Sequence, residues 1–163
     1  MKLQKRDKLP VLIILIINII WLLYILSPVL FTAPDYIKFN RLSFSHICHQ
    51  IPERSFSFNN VNLPVCHRCF AIYSGAFIAA LLWTIPFFRK EKYLKLYRRF
   101  FFTALILTGI EKFSDFFFDN PPAIRIAAGF ILGLSVILMI EDLLILLINN
   151  LSTSIFREKK SDG

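Results

Sequence analysis

The chain has 163 residues, of which 56% are hydrophobic and 18 are phenylalanine, and its mean hydropathy is +0.59. A soluble domain of this size leaves too much surface in water to hide so much apolar area, and the same figures exclude a disordered or fibrous chain. The formal charge of +8, from 19 Lys and Arg against 11 Asp and Glu, would suit nucleic acid, but its distribution suits a bilayer and its anionic lipids better, so no nucleic-acid partner is expected.

In chain order, the first element is an apolar run, Leu9 to Phe31, whose only strongly polar member is Asn18. About 20 apolar helical residues cross a bilayer core of ~30 Å. The run follows Lys2, Lys5, Arg6 and Lys8. It is longer than the apolar core of a signal peptide and no small-x-small cleavage site follows it, so a retained anchor helix is expected. A second span is expected over 70–88, where Ala71, Gly75, Ala76, Ala79 and Ala80 offer a surface for close helix contact. The third, over 100–118, carries Glu111, Lys112 and Asp115. The fourth, over 123–147, opens near Arg125 and holds Gly129 and Gly133 at a spacing suited to close packing.

Thirteen of the nineteen basic residues fall in the N-terminus, the 89–99 segment and the tail. With four spans these share one side, which the positive-inside rule makes cytoplasmic. The expected fold is therefore a single all-α integral membrane domain of four transmembrane helices, multi-pass in the cell membrane. Both termini are cytoplasmic and an outer loop spans 32–69. Glu141 and Asp142, near the inner end of the fourth span, are expected to meet the basic 89–99 segment.

The outer loop concentrates the chemistry. Asp35 to Gln50 reads as an amphipathic interfacial helix ended by Pro52. Ser55–Phe58 and Val61–Val65 alternate around Asn59-Asn60, and Asn tolerates positive φ, so a two-residue hairpin is expected. Its register sets Phe58 opposite Val61 and Glu53 opposite Cys66, with Pro64 at an edge or bulge. All three cysteines and all three histidines lie within His46, Cys48, His49, Cys66, His67 and Cys69. Two closely spaced ligands on each of two turns can surround a tetrahedral ion, and the hairpin folds Cys48-His49 back toward Cys66 and Cys69. Zinc suits that thiolate and imidazole donor set. The start of the second span also favours a thiolate at Cys69, so a redox pair of Cys66 and Cys69 is a second reading. A plain disulfide with one spectator cysteine is a third.

Glu111, Asp115 and Asp119 recur every four residues and share a helical face. Ionisable groups in a bilayer cost about 2.5–3.5 kcal/mol each at its centre and should be paired. Asp115 or Glu111 is expected to meet Arg125, under the cysteine loop. Were the metal site open to water, Glu53, Glu111 or Asp115 would be the candidate general base, with Arg125 beside them. Alternatively, Glu111, Asp115 and Arg125 line a path in a small transporter or channel subunit, which four short spans would build only as a homo-oligomer or with a partner.

Cys48-His49-Gln50-x-Pro52-Glu53-Arg54-Ser55-Phe56, followed by Pro64-Val65-Cys66-x-Arg68-Cys69-x-x-x-Tyr73-x-Gly75, resembles the family called domain of unknown function 2085. A weaker match runs on to Arg125-x-x-x-Gly129-x-x-x-Gly133, so the resemblance covers about residues 36–135. It implies a small prokaryotic membrane protein and brings no activity with it. His46, His67, Glu111-Lys112 and Asp115 depart from the family pattern. The positions that match leave Cys48, His49, Cys66 and Cys69 as a Cys3His ligand set. They also leave Arg54 and Arg68 to meet an anionic partner or steady the thiolates.

Overall fold

The computed structural model describes residues 8–85, 88 and 93–161, with the side chains of 8–10, 94, 141–142 and 144–161 left aside. Five helices and one hairpin follow in the order α1 (Lys8–Leu30), α2 (Pro34–Phe44), a single 3-10 turn (Pro52–Arg54), β1 (Ser55–Phe58), β2 (Val61–Cys66), α3 (His67–Trp83), α4 (Leu94–Phe117) and α5 (Pro122–Ser161). The helices pack in the sequence α1 on α3, α3 on α5 and α5 on α4.

α1 and α5 contain stretches, Val11–Leu30 and Pro122–Ile140, long and apolar enough to cross a membrane. α3 is an apolar helix of 17 residues. α4 is longer, at 24 residues, but charged at both ends. Large apolar side chains face outward all along α1 and α4, among them Ile17, Ile20, Leu23, Ile106, Ile110 and Phe113. In water such a surface would be an aggregation liability; against lipid it is the proper exterior.

The α3–α5 contact depends on glycine. A Cβ at Gly133 would run into the Ile72 carbonyl, one at Gly75 into the Phe130 carbonyl, and one at Gly129 into the Arg68 carbonyl. The small-residue surfaces expected on the second and fourth spans therefore face each other.

Pro28 explains how α2 docks. It lies inside α1 and has no N–H for the Tyr24 carbonyl one turn back. Two side chains take that place: Ser27 Oγ donates to the carbonyl at 2.7 Å, and Asn40 Nδ2, fully buried on α2, donates at 3.0 Å. α2 thus folds back along α1, and Phe44 reaches Trp21 and Tyr24, with ring centroids 5.6 and 5.4 Å away.

Two local expectations are corrected. The amphipathic helix ends at Phe44 rather than at Gln50, because the chain winds into a turn in which Ile47 and Cys48 N–H both donate to the Phe44 carbonyl. The hairpin does turn on Asn59 and Asn60, at φ 49° and 63°, and Phe58 pairs with Val61. Its far register differs, however: Ser55, not Glu53, pairs with Cys66. The ladder shifts between Ser55 and Ser57, opposite Pro64, which cannot donate to it. The apolar hairpin residues Leu63 and Val65 are fully buried in the bundle. The helix bounds also differ from those expected: α3 begins earlier, at His67, and stops short, at Trp83, while α4 begins earlier, at Leu94, and α5 continues to Ser161. The expected meeting of Glu141 and Asp142 with the 89–99 segment lies outside the described residues.

Candidate metal centre

Three backbone devices bring the cysteines together. The turn after α2 drops Cys48 into a buried cluster with Ile25, Phe44 and Val65. Gln50, at φ 52°, reverses the chain behind it, and its side-chain amide donates to the Arg41 carbonyl. The bulged hairpin then returns Cys66 to the same place, where its backbone N–H donates to Cys48 Sγ at 3.2 Å. Cys66 is the residue that caps α3, and Cys69 sits in the first turn.

The result is a group in which the ligand atoms of Cys48, Cys66 and Cys69 all lie within 4.8 Å of one another. No disulfide joins them. Hydrogen bonds from the Cys66 and Cys69 side chains, with the backbone N–H of Cys66 and Gln50, pull the Cys48 thiol far below its ordinary pKa; burial opposes them and loses. The donors around Cys48, at a helix N-terminus, thus favour its thiolate form. Tyr24, Phe70 and Tyr73 pack against the buried cluster that holds Cys48.

His49 is exposed and lies outside this close group; it lines a cavity of about 230 Å³ that Cys66 also borders. His46 is exposed. His67 is buried edge-on against Phe56 at 4.4 Å, and its Nδ1 has no hydrogen-bond partner.

Beyond the sulfurs lies a network of charge. Asp115 is the hub. Its Oδ1 accepts from Arg125 Nε and Nη2 at 2.9 and 2.6 Å and from the Asn120 N–H at 3.1 Å. Its Oδ2 accepts from Arg54 Nη1 at 3.1 Å and Arg68 Nη2 at 3.2 Å. Arg68 also grips Glu111 with two parallel bonds of 3.0 and 2.7 Å. Asp119 Oδ1 accepts from Arg54 and Arg125. Arg68, between two of the cysteines, thus ties the sulfur group to α4, and Arg54 ties the hairpin to α4 and to the turn before α5.

The expected pairing of Asp115 with Arg125 is present, while Glu111 is engaged by Arg68 instead. Every oxygen of both acids already accepts from a donor, so both carboxylates serve as counter-ions to the arginines rather than lying free to act on water. Glu53 is exposed and does not line the cavity. The convergence of Arg54 and Arg68 on the acidic face was not read from the sequence. The signal was there as an imbalance: three acids at 111, 115 and 119 had only Arg125 and Lys112 assigned nearby, so at least one further cation was owed.

Comparison with known proteins places this arrangement. The family model described as "Predicted membrane protein (DUF2085)" matches residues 48–139, more than half of the chain. The chain belongs to this family. All three cysteines and every member of the ion-pair network fall inside the matched segment. An uncharacterised protein of Methanocaldococcus jannaschii is 31% identical over 100 residues, 60% of this chain and 63% of that one. Another, of Methanothermobacter thermautotrophicus, is 56% identical over 36 residues, 22% of this chain and 32% of that one. The chain thus matches less than two thirds of the length of either relative. No solved structure matches it significantly.

Proposed function

We propose that this member of the family is a four-span membrane protein whose outer loop is stapled by one zinc ion at the lipid boundary, bound by Cys48, Cys66 and Cys69 with His49 as the fourth ligand. The observation that carries the reading is the sulfur triangle. Zn–S bonds of about 2.3 Å at tetrahedral angles put sulfurs ~3.8 Å apart, and three sulfurs already within 4.8 Å need little adjustment to reach that spacing. His49 follows Cys48 directly and shares a cavity wall with Cys66.

A structural role is favoured over a hydrolytic one, because the acids that would serve as general base are held by arginines. When bound, zinc would cross-link the α2 turn to the start of α3 and neutralise clustered thiolates. Crossing by α3 and α4 as well as α1 and α5 is supported by the apolar exterior of α4 and by the position of α3 between α1 and α5. With four crossings, the basic segments place both termini in the cytoplasm.

Elemental analysis of purified protein is expected to find about one zinc per chain. Cys66→Ser is expected to lose it and to lower the thermal midpoint by several degrees or more. A folded, zinc-free wild-type protein with a Cys66–Cys69 disulfide reversibly opened by mild reductant would favour the thiol-redox reading instead.

A further inference from the structure

The cavity beside the sulfur group has its own chemistry. Arg54, Arg68, Arg125 and Lys112 line it, against Asp115 alone among acids. Arg68 and Arg125 are well buried there, with side chains 15% and 6% exposed. Each guanidinium spends two nitrogens on carboxylates and keeps one without an acceptor among the described residues: Arg54 Nε, Arg68 Nη1 and Arg125 Nη1. Lys112 has no carboxylate partner among the described residues, and buried His67, on the same wall, has an unpartnered Nδ1. The acceptors are the opposite case: both oxygens of Glu111 and both of Asp115 are occupied. The cavity is short of acceptors and rich in donors, which is the deficit that an oxyanion fills.

We propose that this cavity binds a phosphate group, carried by an anionic lipid headgroup or by a free phosphoryl ligand. A tetrahedral oxyanion offers acceptors in several directions, as donors from four side chains on three elements and the hairpin loop require, whereas a carboxylate offers two in one plane. Ile51 and Phe116 complete the wall, and Phe116 is 84% exposed at the lipid-facing end of α4. The phosphate would lie among the arginines and any alkyl portion against these apolar residues. The inference uses no zinc ligand as a phosphate contact, so it stands or falls apart from the metal reading.

The test uses the full chain in nanodiscs of phosphatidylcholine alone or with added phosphatidic acid. Retained lipid is read by native mass spectrometry and zinc by elemental analysis of the same samples. Wild type is expected to retain phosphatidic acid over phosphatidylcholine. Lys112→Gln, at an exposed position with no ion pair among the described residues, is expected to weaken that retention about tenfold, the loss of one charge-assisted contact, with zinc content unchanged. Lys38→Gln, an exposed lysine on α2, is expected to change neither. Displacement of the lipid by millimolar inorganic phosphate would identify a free phosphoryl ligand, and resistance to it a lipid headgroup. Equal retention of the two lipids by wild type, with no thermal stabilisation by inorganic phosphate, would overturn the proposal. So would an equal effect of Lys38→Gln and Lys112→Gln.

Discussion

Asp115→Ala is expected to cost about 3–5 kcal/mol of stability, the usual penalty for leaving buried charge without its partner. The reason is one carboxylate serving three guanidinium groups. Removing it strips Arg125 of two of its three carboxylate bonds and Arg54 and Arg68 of one contact each, while the Arg125 side chain, 6% exposed, is largely withdrawn from solvent. Accumulation in the membrane and the thermal midpoint in mild detergent would both fall. Adding Arg125→Gln to Asp115→Asn should recover part of the loss, since the charge stranded by the first change is removed by the second; that positive coupling is what a double-mutant cycle reads. Additive effects, or an alanine variant as stable as wild type, would show that the network is ornamental to the fold.

Gly133→Leu is expected to be nearly as damaging for a steric reason. Its Cβ would meet the Ile72 carbonyl, carbonyl carbon and Cα of α3, all backbone atoms that cannot rotate away. α3 and α5 would have to separate, loosening the helix whose first turn carries Cys66 and Cys69. A loss above about 4 kcal/mol belongs to this kind of overpacking. Gly109→Leu supplies the control. Nothing lies within 4 Å of a Cβ there, and the position faces outward on α4, so the change is expected to stay within about 0.5 kcal/mol. Similar midpoints for the two variants would contradict the packing described.

What could be read from the sequence follows from the range over which each signal acts. The Asn59-Asn60 turn was legible because positive φ is a property of two adjacent residues. The meeting of Cys48 with Cys66 and Cys69 was legible because a hairpin is the shortest device that reverses a chain between them. Gly129 and Gly133 announced a close crossing by spacing alone. The register beyond Pro64 was not legible: a missing N–H says that a ladder is interrupted, but not how many residues the bulge absorbs. Nor was the end of α2, which is set by contacts of Phe44 with α1 rather than by a breaker in its own segment. The largest omission was Arg54 and Arg68 on Asp115, across 61 and 47 residues. Periodicity identifies the acidic face of a helix; only the folded loop decides which cations reach it.

The proposed zinc centre is tested most directly by zinc K-edge X-ray absorption on the purified full chain in lipid. The expected spectrum fits three sulfur neighbours at about 2.3 Å and one nitrogen at about 2.0 Å, with the sulfur count falling by one in Cys48→Ser if any metal remains. A first shell made only of nitrogen and oxygen, or a folded protein that holds no metal at all, would contradict it.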